Sequence, residues 1–333
     1  MSTIRTVAER AGVSIATVSR VMNDPHKVRE RTRVKVETAM RELDFSRNTF
    51  AASLVTRRSE CVGLIVANLA GAFFAPLINQ VEEIVSASNS YLIVSCNKDS
   101  GSDVEGALQF LRQRRCDAII LYPGQLSDQA LTTMLVNNPN LVVIHRTVAG
   151  FEERCVQVDN RAGARLAARY LIDCGHREIG VITGPPSNPE SLHRLAAFVE
   201  TMEAANLPVQ AELIVEGDFR FESGRQGMAE LLAVGKGLSA VFCLSDHMAF
   251  GALDYCRAVG IDIPGRISLV GFDDVEYSRL IHPRLTTIHH PIDAIARAAA
   301  EIALRLAAGE TLQEPQRLLA PKLIIRESVQ RMS

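Results

Sequence analysis

Short apolar runs recur along this 333-residue chain from position 62 onward, each followed by a stretch of helical periodicity. The first series reads V-G-L-I-V-A (62–67), Y-L-I-V-S (91–95), A-I-I-L (118–121) and L-V-V-I (141–144). A second series reads I-G-V-I-T (179–183), A-V-F-C-L (240–244) and I-S-L-V-G-F (267–272). This rhythm calls for parallel strands, because each strand must return through a helix before the next can pair alongside it. Two series imply two α/β lobes. With 47% hydrophobic residues, the chain can bury a core in each. No run reaches the roughly 18 apolar residues of a membrane span, so no membrane contact is expected.

Open parallel sheets bind ligands beyond the carboxyl ends of their strands. In the first series those positions hold Asn68, Phe73-Phe74, Asn97-Lys98, Tyr122 and His145-Arg146. In the second they hold Asp246 and Asp273-Asp274, with Arg194 on a helix expected to point into the same cleft. Carboxylates, a guanidinium, amides and rings together suit a sugar. Charged groups take paired hydroxyls, and rings cover the apolar face of a pyranose. Blander roles stay open: Asp246 and Asp274 can cap helices, one of Phe73 and Phe74 can belong to the core, Arg146 can form an inter-lobe salt bridge, and His145 can be structural.

The first 58 residues differ from the rest. They hold 12 Lys/Arg against 6 Asp/Glu, whereas the whole chain holds 36 against 38. A basic head on an acidic body points to a polyanion at the head alone. Ile4, Val7, Ala8 and Ala11 lie at helical spacing, Gly12 is a natural stop, and Ser14 can cap a second helix through Val21. Helix, short glycine turn, helix is the pattern of a DNA reader. Val13 and Val18 are expected to pack inward. Val34, Val36, Ala39, Met40 and Leu43 of a third helix are expected to close the core. Ile15 and Ala16 suit thymine methyls, and Arg20 suits guanine O6 and N7. Ser14, Thr17, Ser19 and Lys27 suit phosphates.

Residues 46–58 read as a linker in which Asn48 can cap a helix to about Val55. A helix that short is marginal alone, since about 12–15 residues are needed in water. The seven cysteines are scattered, without a C-x-x-C pair, and read as small core residues rather than disulfides or a zinc site. His282, His289 and His290 lack the partners of a metal set. No metal and no cofactor is expected. The chain has no G-x-G-x-x-G after its first strand, no G-x-S-x-G and no P-loop, which argues against an α/β enzyme. Met1-Ser2-Thr3-Ile4-Arg5 carries no signal-peptide core, so a cytoplasmic location is expected over a periplasmic binding protein.

The run Thr6-Val7-Ala8-x-x-Ala11-Gly12-Val13-Ser14-x-x-Thr17-Val18-Ser19-Arg20-Val21-x-Asn23 resembles the opening of the lactose/galactose repressor family of bacterial transcription regulators. Ile15-Ala16 and residues 151–172 are most similar to its galactose repressor and isorepressor members. The resemblance implies an α/β fold in which an all-α helix-turn-helix headpiece (1–45) and a hinge helix (46–58) join a two-lobed, periplasmic-binding-protein-like body (59–333) with parallel sheets. Lobe 1 would take about 61–158 and 291–319, and lobe 2 about 160–288 and 321–329. The resemblance implies a homodimer on a pseudo-palindromic operator in double-stranded DNA. Thr3, Asn23, Asn48 and Ala51 join the residues above as expected DNA contacts, and Leu54 matches a wedge entering the minor groove. Asn68, Phe73, Phe74, Tyr122, Arg146, Arg194, Asp246 and Asp273 are the expected contacts to a small sugar effector. A phosphorylated sugar or other metabolite acting as corepressor is the alternative. Three positions depart from common family pairs: His145-Arg146, Ser245-Asp246 and Ala197 three residues after Arg194. These bear on effector identity, not on fold.

Overall fold

A computed structural model describes residues 3–45, 58–69, 71–96, 101–234, 237–313 and 317–332. Asn48, Ala51, Leu54, Asn97, Lys98 and the side chain of Asn23 lie outside the described residues. The chain divides into two compact units, Met1–Ser59 and Glu60–Ser333.

The smaller unit is three helices: α1 (Ile4–Ala11), α2 (Ile15–Asn23) and α3 (Glu30–Glu42). Thr3 caps α1 through a reciprocal pair of hydrogen bonds with Thr6. Gly12 ends α1 at φ 66, a left-handed conformation that a Cβ would oppose. The chain can therefore turn within two residues to Ser14, whose side chain accepts from the Thr17 amide at the start of α2. Val7, Ala8, Val18, Val21, Val36 and Ala39 form the core. Val13, Met40 and Leu43 pack at its edge. Val34 departs from expectation, being 49% exposed, because it falls on the opposite face of α3 from Val36 and Ala39.

The larger unit holds two six-stranded sheets. The first contains β1 (Cys61–Val66), β2 (Tyr91–Cys96), β3 (Ala118–Leu121), β4 (Leu141–Ile144), β5 (Cys155–Val158) and β11 (Arg317–Leu319), in the order β11-β5-β4-β3-β1-β2. All its pairings are parallel. The second contains β6 (Ile179–Thr183), β7 (Ile214–Glu216), β8 (Ala240–Cys243), β9 (Ser268–Asp273), β10 (Thr286–His289) and β12 (Lys322–Ile324), in the order β12-β10-β9-β8-β6-β7. Only β12 runs antiparallel to its neighbour.

Helices α4 (Phe74–Ala87), α5 (Gly101–Gln113) and α6 (Asp128–Asn137) belong to the first lobe. Helices α7 (Asn160–Asp173), α8 (Pro189–Ala204), α9 (Phe221–Val234) and α10 (Asp246–Ala258) belong to the second. The last helix, α11 (Ile292–Ala307), returns to the first lobe and buries Ile295, Ala299 and Ala303 against Val62, Ile120 and Val142. The chain thus crosses between lobes three times: β5 to α7, β10 to α11, and β11 to β12. Against the second sheet, α9 and α10 approach so closely that a Cβ on Gly251 would overlap the Phe221 carbonyl. That contact fixes the start of α9, where the chain meets the cleft. Among the described residues, no helix is long and apolar enough to cross a membrane.

Candidate functional site

On α2, the side chains expected to meet DNA lie on one outward face. Ile15 is 47% exposed, Ala16 and Arg20 are exposed, and Thr17 and Ser19 are half-buried. Val18 and Val21 fix that face by plugging the opposite side into the core. Ser14 also bonds Thr17 side chain to side chain at 2.9 Å, which stiffens the first turn of the helix. Thr3 and Lys27 are exposed at its flanks. An exposed apolar Ile15 beside hydroxyls and a guanidinium is what a major groove accommodates.

In the larger unit, a cavity of about 1010 Å³ is lined by residues that follow strands of both sheets. The first lobe contributes Asn68, Phe73, Phe74 and Tyr122, as the sequence suggests. The second contributes Arg194 and Asp273. Phe73 and Phe74 both line the cavity, and Phe74 also packs on the first-lobe core. Their rings meet edge-on at 5.1 Å, and Phe74 meets Tyr122 at the same separation.

Arg194 organises the second wall. Its Nε donates to Asn160 Oδ1 at 2.7 Å and its Nη1 to the Leu244 carbonyl at 2.7 Å. Its guanidinium lies over the Phe272 ring at 3.7 Å. Two carboxylates flank it: Asp273 Oδ1 at 3.6 Å and Glu190 Oε1 at 3.8 Å. The Asp273 contact is a charge contact too long for a hydrogen bond, and Asp273 Oδ1 has no hydrogen-bond partner. Burial raises the Asp273 carboxyl well above the usual range, with Asp246 and Glu190 adding to the rise and Arg194 opposing it. Burial also works against an ionised Glu190, but His145 and Arg194 outweigh it and hold that carboxyl far below its ordinary value. Asp273 sits at φ 116, a conformation that turns its side chain out of the strand direction.

Glu190 bridges the lobes. Tyr122 of the first lobe donates its hydroxyl to Glu190 Oε2 at 3.5 Å, and His145 Nδ1 lies 3.3 Å from Glu190 Oε1. The sequence reading passed over Glu190, although it sits one helical turn before Arg194 and the two had to share a face. It also passed over Phe219, which follows β7 and lines the same cavity.

Two expected cleft residues are placed elsewhere. Arg146 points away: it donates to the carbonyls of Leu126 and Gly124 and pairs with Asp128 at 3.6 Å. Two carbonyls in the β3–α6 connection and Asp128 at the start of α6 hold it there, so it braces the loop carrying the cavity-lining Gln125. Nor does it bridge the lobes. Asp246 is fully buried. Its Oδ2 accepts from the Val275 amide at 2.9 Å and Ser278 Oγ at 2.6 Å, and its Oδ1 from Thr287 Oγ1 at 2.5 Å. Burial pushes its carboxyl up to about 7 against the pull of those donors. It therefore ties α10 to the segments after β9 and within β10. The capping role at α10 belongs to Ser245. Asp274 is also structural, bonded to His289 at 3.0 Å and Arg326 at 2.5 Å.

Comparison with known proteins decides the family. Residues 3–48 match the profile of bacterial regulatory proteins of the lacI family, and residues 168–329 match that of a periplasmic binding protein-like domain. The HTH-type transcriptional regulator GalR of Escherichia coli (strain K12) is 37% identical over 329 residues, covering 99% of this chain and 96% of GalR. The chain belongs to the LacI family of bacterial transcription regulators. Among solved structures of LacI-type proteins, the lac repressor dimer bound to operator and the anti-inducer ONPF matches with TM-score 0.88 and 28% identity over 99% of each chain. A complex of the transcriptional regulator CelR with cellobiose matches with TM-score 0.73 and 31% identity, covering 98% of this chain and 100% of CelR. As a LacI-family member this chain is a DNA-binding transcriptional regulator and not an enzyme.

Proposed function

We propose that this protein is a cytoplasmic repressor that binds a pseudo-palindromic operator as a homodimer and loosens its grip when a small sugar enters the interlobe cleft. The observation that carries the reading is the pairing of two unlike walls. Rings of Phe73, Phe74 and Tyr122 from the first lobe and Phe219 from the second line one cavity with Arg194, which contacts the carboxylates of Glu190 and Asp273. Rings suit the apolar face of a pyranose, and the polar groups suit its hydroxyls. The operator-bound dimer of the lac repressor and the cellobiose complex of CelR support the DNA, dimer and sugar parts of the reading. Two copies of α2, about one DNA turn apart, would read the two half-sites. A coupling of about 1–3 kcal/mol between cleft and operator suffices for a roughly 5–150-fold change in affinity.

The test is a thermal-shift screen of monosaccharides, glycosides and sugar phosphates, followed by binding of genomic fragments with each hit. A neutral sugar should raise the melting temperature and weaken binding to selected fragments. Hits confined to sugar phosphates that tighten binding would support the corepressor reading instead.

Leu54 gives a second check. We propose that it enters the minor groove as a wedge, with Asn48 and Ala51 on the same hinge segment. Its contacts would offset a few kcal/mol of base unstacking. Leu54→Ala should then weaken operator binding by about tenfold or more. Binding to random DNA at the same salt should change little. Equal losses on both would remove the wedge.

A further inference from the structure

Behind the Phe73 ring, at the junction of the lobes, two imidazoles lie stacked. His145 and His290 have ring centroids 5.0 Å apart and an interplanar angle of 20°. They are 4% and 1% exposed. Three of their four ring nitrogens, His145 Nε2 and both nitrogens of His290, are buried without a hydrogen-bond partner. His290 is sandwiched between the lobes. On the first-lobe side it meets Phe73 at 5.4 Å and His145, and on the second-lobe side Phe272 at 6.3 Å. Buried polar groups are normally paired, and an orphan carries a desolvation penalty. Parting of the lobes would let water relieve that penalty.

We propose that the cleft is proton-gated by His290, whose ring fits this arrangement of the lobes only when neutral and gains a proton when the lobes part and water reaches it. The charged groups around it agree. Burial lowers the His290 value well below the ordinary 6.5, and His145, Arg194 and His289 push the same way, while only Glu190 opposes them. The neighbouring Tyr122 hydroxyl is turned to Glu190, and Asp273 reaches His290 through its main-chain carbonyl, which accepts from the His290 amide. The sign follows. A ring that is hard to protonate here but ordinary when hydrated makes the parted state gain on the present one as pH falls below about 6.5. One linked proton shifts that ratio by up to about tenfold per pH unit. The effect is a property of the lobes and does not depend on which sugar fills the cleft.

Hydrogen–deuterium exchange of the full-length protein tests this by mass spectrometry, with no effector added. Histidine C2–H exchange reads each imidazole's titration and water access. Amide exchange in residues 122–126 and 186–192, corrected for the intrinsic effect of pH, reads parting of the lobes. Between pH 8 and pH 5.5 those amides should lose protection by about tenfold, and the His290 ring, corrected for the intrinsic slowing of C2–H exchange as pH falls, should gain accessibility over the same range. In His290→Gln the amide response should vanish. His145→Gln, which keeps His290, should retain it. Unchanged protection in the parent protein, an ordinary His290 titration, or an undiminished response in His290→Gln would each overturn the proposal. If His290→Gln does not fold, the ring and amide readouts of the parent protein still decide. Loss of sugar binding with intact proton gating would count against the effector reading alone.

Discussion

Arg194→Ala should cost the body about 3–5 kcal/mol of stability, because it leaves the largely buried Glu190 carboxylate without its cation. Arg194 is only 3% exposed, so solvent screening scarcely reduces this figure. The guanidinium is held by Asn160 and the Leu244 carbonyl, stacks on Phe272, and stands between Glu190 and Asp273. Removing it orphans the Asn160 and Leu244 acceptors as well. Urea denaturation of the full chain at neutral pH reads the loss. Arg194→Lys keeps the charge but not the fork, and should recover only part of the stability. Where the variant remains folded, binding to DNA through the headpiece should persist while the sugar response is absent. A loss under 1 kcal/mol would show that the Glu190 carboxylate does not depend on Arg194.

The second large effect is expected at the other end of the chain. Arg20 is exposed on the outward face of α2, with Val18 and Val21 locking the helix against rotation. A bidentate arginine–guanine contact is worth about 1–3 kcal/mol of discrimination. Arg20→Ala should therefore weaken operator binding by roughly 5–150-fold per half-site. Discrimination should relax at one base position in each half-site, with little change at the others. The comparison is a systematic substitution of operator bases, measured at fixed salt for parent and variant. A uniform loss across all sequences would assign Arg20 to phosphate instead.

How much of this was legible in the sequence depended on the length and regularity of each element. Strands of four or more apolar residues announced themselves, and the positions beyond them pointed to the right region of the molecule. Strand β7 has three residues, Ile214–Glu216, only half-buried, and gives no such signal. Phe219 went unread with it. The rule for strand ends locates a residue but not the direction of its side chain. Asp246 follows a strand of the second sheet and Asp273 ends one. Asp246 begins a helix and is bound to Ser278 and Thr287, whereas Asp273, at positive φ, lines the cleft. Arg146 likewise found carbonyls closer than the cleft. The headpiece was read more fully because its caps are local: Gly12 and Ser14 act within a few residues of themselves.

The three passages of the chain between lobes also set an order of assembly during synthesis. The second sheet, apart from its edge strand β12, is contiguous in sequence from Ile179 to His289. The first sheet begins earlier but needs α11 and β11, which follow β10 in the chain. While a ribosome is still adding residues beyond 290, the later lobe already has five of its six strands. The earlier one waits with the faces of Val62, Ile120 and Val142 uncovered.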